Sequence, residues 1–277
     1  MKTYLKFWGT RGSIPVSGKE YIRFGGNSSC LEIRDGKTLV IIDAGTGLRA
    51  FKNPLNKIDL FISHSHIDHI GGFPFFLPLF DPHANITIWD GPGESNAEAL
   101  FTKKDAQIIF PGLVAIHAKV TFNELKPKTT FSCGTIKVSA HQACHPGLTF
   151  GFKIETRKTT FAYITDNEVF KGHTGSKTPK EIPPFEKSLI SFLKGCDFII
   201  HEAQYTPAEY KKRIGWGHSS VSNAAFLLKE AGVKKWYVTH HDPDHTDKDL
   251  LKKQKTHQKL LPGCKVIMAY DGLVVKL

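Results

Sequence analysis

The stretch "SHSHIDHIGG", residues 63–72, places His64, His66, Asp68 and His69 directly after the apolar run "IDLFI". Neutral imidazole and ionised carboxylate are side chains that bind zinc, manganese and iron. In a loop leaving a strand, His64 and His66 at i and i+2 aim at one point, while Asp68 and His69 turn toward a second point beside it. One stretch can then contribute to two metals, and two neighbouring metals are the equipment of metal-assisted hydrolysis. The plain alternative is a polar turn with unrelated histidines, and it predicts no further ligands. Further candidates do occur, each where a strand ends: His145 in "HQACHPG", Asp166 closing "FAYITD", and the adjacent pair His240 and His241 closing "WYVTHH". Ligands that converge on one edge of a layered fold must come from strand ends, so the shared placement favours a single site.

The elements that would carry these residues are legible as patterns. "KTYLKFW", "CLEIR" and "KTLVIID" read as strands, the last two joined by a hairpin at Asp35-Gly36, and "IDLFISH" delivers the histidines. A helical stretch, "EALFTKKDAQII", precedes strands at "IKVSAHQA", "TFGFKIET" and "TFAYITD", with a polar turn at Arg157-Lys158. After the proline-rich "SKTPKEIPPFEK" the pattern alternates. Helices at "KSLISFLKGC", at "SNAAFLLKEAG" and over 247–261 separate strands at "DFIIHEA", "KKWYVTHH" and "KVIMAY". Strands in both halves with helices between them fit a layered α/β sandwich. A chain of 277 residues fits one domain over 1–277.

Composition narrows the class. At 40% hydrophobic and 23% charged residues the chain is neither disordered nor fibrous. No segment approaches the roughly 18 apolar residues of a membrane span, and "MKTYLKFWGTRGS" lacks the apolar core of a signal peptide. The cysteines Cys30, Cys133, Cys144, Cys196 and Cys264 are widely spaced and odd in number, which points to reduced thiols and a cytoplasmic location. A net charge of +11 favours anionic ligands.

With Asp43 in "IIDAGTG" added, the order Asp43, then His64, His66, Asp68 and His69, then His145, Asp166 and His240 resembles the metallo-β-lactamase superfamily over nearly the whole chain. The resemblance implies a four-layer αββα sandwich with a binuclear centre at one edge, holding two divalent transition-metal ions: Zn2+, with Mn2+ or Fe2+ as alternatives. By it, His64, His66 and His145 hold the first metal, Asp68, His69 and His240 the second, and Asp166 bridges them. Asp43 would orient a ligand imidazole. The resemblance places the terminal ligand after Thr239, at His240 rather than His241.

An aspartate at the bridging position points to the phosphodiesterase and tRNase Z branch. "HEAQY" and "GHSS" look like that branch's acid–base elements, which makes Glu202 and His218 a catalytic pair and has Asp68 orient the attacking water. His201 reads as a strand histidine without catalytic duty, and Cys144 as a packed thiol. The tRNA-processing members carry a long gripping arm, commonly between the residues matching His145 and Asp166, and here these stand too close in sequence to hold one. The expected activity is therefore hydrolysis of a small anionic phosphodiester, most of all a cyclic nucleotide. The alternatives are an RNA- or DNA-processing nuclease of the tRNase Z type, a non-catalytic metal-containing regulatory protein, and, more weakly, a lactone or β-lactam hydrolase. Nucleic acid is a disfavoured partner on this reading, and a homodimer is open. Phe73, Phe75, Phe76 and Phe80 in "GGFPFFLPLFDP" read mainly as packing for a helix under the metal loop, the alternative being an apolar substrate wall. Arg11 and Arg49 are candidates for phosphate contact, with salt bridging equally open.

Overall fold

Alternation of buried and half-exposed positions in β1 (Thr3–Gly9) marks a strand with one face on a core. In the computed structural model, which describes residues 3–52, 55–92, 97–102 and 116–277, this strand belongs to the first of two seven-stranded sheets. Its other members are β2 (Cys30–Asp35), β3 (Thr38–Ile42), β4 (Lys57–Phe61), β5 (Asn85–Asp90), β6 (Lys119–Glu124) and β14 (Val274–Lys276). They lie in the order β14-β1-β2-β3-β4-β5-β6. The second sheet comprises β7 (Thr130–Cys133), β8 (Ile136–Gln142), β9 (Phe150–Glu155), β10 (Thr160–Ile164), β11 (Phe198–Glu202), β12 (Lys235–Thr239) and β13 (Lys265–Met268). Its order is β13-β12-β11-β10-β9-β8-β7.

Each sheet is antiparallel in one half and parallel in the other. β3 to β6 run parallel, as do β10 to β13. Parallel strands covered on both faces read as unbroken apolar runs, and "FIIHE" of β11 is buried at every residue. Leu5, Ile33, Phe61, Phe152, Ile200 and Tyr237 belong to the core between the sheets. A second core packs the helical layer onto β10–β13, and a third packs short helical turns onto β3–β5. The result is the expected αββα layering.

The helices are α1 (Ile67–Ile70), α2 (Ala97–Thr102), α3 (Pro184–Leu193), α4 (Pro207–Tyr210), α5 (Val221–Glu230) and α6 (Asp247–Leu260). α3 begins inside the proline-rich connection because proline suits the first helical turn, where no amide donor is needed. Ser220 caps α5, and Thr246 with Asp249 forms a capping box on α6. Of the helix expected at "EALFTKKDAQII", the part within α2 is helical and the rest lies outside the described residues. The helix expected over "GGFPFFLPLFDP" is instead a pair of 3-10 turns, Phe73–Phe75 and Leu77–Phe80, because Pro74 and Pro78 break a continuous ladder of backbone bonds. Phe73 and Phe76 are buried in the third core and Phe80 packs against it, while Phe75 is exposed.

Candidate metal centre

Both sheets present the C-terminal ends of their parallel strands to one edge, where ligands bind in parallel α/β sheets. Asp43 follows β3, the histidine stretch follows β4, Asp166 lies just past β10, Glu202 ends β11, and His240 follows β12. His145 comes from the loop between β8 and β9. Asp43, Asp166 and His240 have φ of 63°, 41° and 53°. This is the left-handed region, uncommon for residues other than glycine and concentrated at functional sites.

Asp166 stands in the middle. Its Oδ2 lies 3.4 Å from His64 Nε2 and 3.7 Å from His145 Nε2. Its Oδ1 lies 3.3 Å from His69 Nε2 and 3.0 Å from His240 Nε2. His66 completes the first set, with Nδ1 3.0 Å from both His64 Nε2 and His145 Nε2. Asp68 completes the second, with Oδ2 3.2 Å from His69 Nε2 and 3.1 Å from His240 Nε2. Within each set the ligand atoms lie within 4.8 Å of one another. Donors bound to one tetrahedral zinc at its usual bond length stand about 3.3 Å apart, so the spacing fits an ion in each set.

The electrostatics fit as well. Burial opposes ionisation of Asp68 and Asp166, and the surrounding imidazoles overcome it, holding both carboxyls well below the usual range. Burial likewise opposes protonation of His69 and His240, yet Asp68 and Asp166 raise both imidazoles. The second set therefore calls for positive charge at its centre, where His69 Nε2 is fully buried between the Asp68 and Asp166 carboxylates. His145 is pulled down to about 4, chiefly by burial, which keeps it in the neutral form that binds metal. The second set is buried throughout, whereas His66 of the first is exposed.

The remaining ring nitrogens are held from behind. Asp43 Oδ2 sits 2.9 Å from His69 Nδ1, as expected, and also accepts from Tyr163 Oη. Gly217 O meets His145 Nδ1 at 2.9 Å, and Ser63 Oγ meets His64 Nδ1 at 3.1 Å. Gln204 Oε1 meets His240 Nδ1 at 2.9 Å. Such partners fix the tautomer and direction of a ligating imidazole. A Cβ on Gly12 would stand 2.3 Å from the His240 ring, which accounts for a glycine in "GTRGS".

Sequence reasoning missed Gln204, although it lies inside the quoted "HEAQY". It is a hub: its Nε2 donates to Ser13 Oγ, Ser13 N–H donates to Asp68 Oδ2, and buried Lys253 donates to the Gln204 carbonyl. Gln204→Ala is expected to weaken the second metal about 10–100-fold, the usual effect of losing such a partner, and to leave the first near its wild-type affinity. Chelator competition on the purified protein measures both.

His241 does not join the site. Its ring is buried and its Nε2 meets Ala269 O, leaving His240 as the ligand candidate. His218 does join it, stacked on His240 with ring centroids 5.1 Å apart and 5.0 Å from His145. Burial pulls its pKa down to about 3. Glu202 departs from expectation. Its Oε1 accepts from the Ser219 and Asn167 amides and its Oε2 from the Gln204 amide, and it makes no hydrogen bond to His218 among the described residues. It ties together the three turns that carry Asp166, Gln204 and His218. Burial raises its carboxyl to about 8.

Arg11 contacts no open cleft. It is wholly buried and donates to the carbonyls of Gly25, Asp242 and His245. Arg49 is exposed at the end of a 3-10 turn. His201 is buried, bonded to Glu202 O and the Asn167 side chain, and Cys144 is half-buried with its thiol raised by burial. A cleft of about 320 Å³ opens over the first set, lined by His64, His66, Asp90, Pro92, Pro146 and Leu148.

Comparison with known proteins agrees with this geometry. The chain is 22% identical to the ribonuclease Z of Lactiplantibacillus plantarum over an alignment of 318 positions, covering 99% of this chain and 98% of that protein. Its fold superposes on the metallo-β-lactamase fold protein YhfI from Bacillus subtilis with a TM-score of 0.71 at 19% identity, covering 100% of both chains. It superposes on a diphosphatase of the PhnP family with a TM-score of 0.68 at 20% identity, covering 100% of this chain and 98% of that one. The model of the β-lactamase superfamily domain matches residues 38–241, a span that runs from the strand before Asp43 to the histidines after β12, and the chain accordingly belongs to that superfamily.

Proposed function

We propose that the chain hydrolyses phosphodiesters at this centre. The observation that carries the reading is the division of the Asp166 carboxylate, one oxygen facing each ligand set, beside an open cleft. A bound metal pair supplies an activated water and charge stabilisation at the phosphoryl group. The chain's own residues do the rest. Asp68 touches its neighbours through Oδ2, which leaves Oδ1 to orient the water. His218, held neutral by burial, stands beside the centre, where it would take the proton given up by the attacking water and pass it to the departing alkoxide.

RNA is the favoured substrate, and this shifts the weight placed on small diesters by the sequence. The support is the match to ribonuclease Z proteins along nearly their full length, with the net charge of +11 in agreement. One observation keeps a second reading, hydrolysis of a cyclic nucleotide or other small diester. Between His145 and Asp166 the chain forms only a tight hairpin, β9 to β10, turning at Thr156–Thr159. The alignment to the Lactiplantibacillus protein also spans more positions than this chain has residues, so the relative carries segments absent here.

Salt separates the two. Contacts to single-stranded phosphates give a log–log slope of about −0.7 each, so cleavage of a tRNA precursor is expected to fall steeply with salt. A cyclic mononucleotide offers one phosphate and a shallow slope. Assays with zinc and manganese in turn, over a salt series, are expected to show the steep case for the best substrate. Faster turnover of the cyclic nucleotide with a shallow slope decides for the second reading.

A further inference from the structure

The loop that carries His218 also carries an indole that the fold leaves uncovered. Trp216 is 59% exposed, in a loop that packs against the metal-ligand candidates. The loop around it is tightly held. Buried Glu168 accepts from the amides of Gly215 and Gly217 and from Tyr210 Oη. Gly215 and Gly217, on either side of Trp216, have φ of 91° and 86°, which a larger side chain resists. A Cβ on Gly217 would stand 2.1 Å from His145 Nδ1 and 2.4 Å from Pro146 Cδ. The backbone beside Trp216 is therefore pressed against a metal-ligand candidate and against the wall of the cleft. The loop that presents the exposed indole is thus held in place beside the wall of the cleft.

Its chemistry is specific. Arg213 lies over the indole at 5.9 Å and over the Tyr205 ring at 5.0 Å, and Tyr205 in turn meets the His218 ring edge-on at 5.9 Å. Arg213 thus backs an indole that is more than half exposed. A flat aromatic surface next to a guanidinium, beside a centre that takes an anionic diester, matches a nucleoside phosphate: the base covers the ring and the cation meets a phosphate. A purely apolar ligand would leave the guanidinium unmatched, and a bare phosphate would leave the indole uncovered.

We propose that Trp216 is the stacking platform for a nucleobase adjoining the scissile phosphodiester, with Arg213 as its cationic backing. This rests on the phosphodiesterase reading and names the part of the substrate that the enzyme grips beyond the phosphate. It holds for RNA and for a small nucleotide diester alike, since either brings a base next to the phosphorus.

The test compares two diesters with the same leaving group on the metal-loaded enzyme: the nitrophenyl diester of thymidine monophosphate, which has a base, and methyl nitrophenyl phosphate, which has none. Trp216→Ala is expected to lower the ratio of kcat/KM for the first over the second by about 5–150-fold, the range of base–aromatic stacking, mainly through KM. Trp216→Phe is expected to restore most of it. An unchanged ratio, with both rates falling together or neither moving, overturns the proposal. A second readout does not depend on turnover: adenosine monophosphate is expected to quench the fluorescence that wild type has in excess of Trp216→Phe, and absence of quenching at saturating nucleotide overturns the platform. If wild type hydrolyses neither diester, the phosphodiesterase reading fails, and the fluorescence titration still decides whether the indole meets a base.

Discussion

Asp166→Asn is expected to lower phosphodiester hydrolysis by about 10³–10⁴, the equivalent of the several kcal/mol a metal pair contributes, and to lower the metal content of the purified protein. The asparagine amide keeps one acceptor oxygen and tolerates the left-handed backbone that residue 166 adopts. It can keep the bond from Thr165 Oγ1. What it removes is a full negative charge at the point where four imidazole nitrogens converge. Elemental analysis and a rate measurement on the same preparation check the result. Wild-type metal content with wild-type activity would falsify the bridging role.

The second large effect concerns His218 and depends on the leaving group. A ribose alkoxide departs badly without a proton, whereas nitrophenolate is stable as an anion. His218→Ala should therefore depress cleavage of a nucleotide diester with an alkoxide leaving group by roughly 10²–10⁴, the usual contribution of general acid–base catalysis. It should affect bis-nitrophenyl phosphate much less. The rival role is bracing: His218 is buried against Tyr205, His145 and His240, and it stands just before the Ser220 cap of α5. Bracing predicts equal losses on both substrates together with a lower Tm. Equal losses with metal content and Tm unchanged remove His218 from the acid role while leaving the centre intact.

The centre was readable from sequence because its ligands are unusual residue types in short, fixed spacings. The stretch from His64 to His69 concentrates four ligand candidates next to one strand, and His145, Asp166 and His240 each follow an apolar run. The supporting residues were harder to see because their types are ordinary and their partners distant. Gln204 reaches a histidine 36 positions away, and the residue that bonds His145 acts through a backbone carbonyl. Glu202 was recognisable as important, yet its partners were not, since only the folded chain shows both oxygens bonded to amides from three turns. Lys253 sits among the many lysines of α6, and it is buried. In the fold, β5, β6, β7 and β14 went unmarked. "NITIWD" does alternate its buried positions, but six-residue runs with threonine and tryptophan at the half-buried positions are weak signals beside "KTLVIID".

The left-handed turns at Asp43, Asp166 and His240 bear on how this chain can change. Each such residue costs about 1–2 kcal/mol relative to an ordinary conformation, less for aspartate than for histidine, and glycine would relieve it. Selection for stability alone therefore pulls these positions toward glycine, and every such change removes a ligand or the partner of one. Tolerance of the fold and retention of the chemistry are opposed at these strand ends more directly than in the apolar packing of the three cores. A lineage released from its substrate would lose the centre from its turns inward while keeping both sheets.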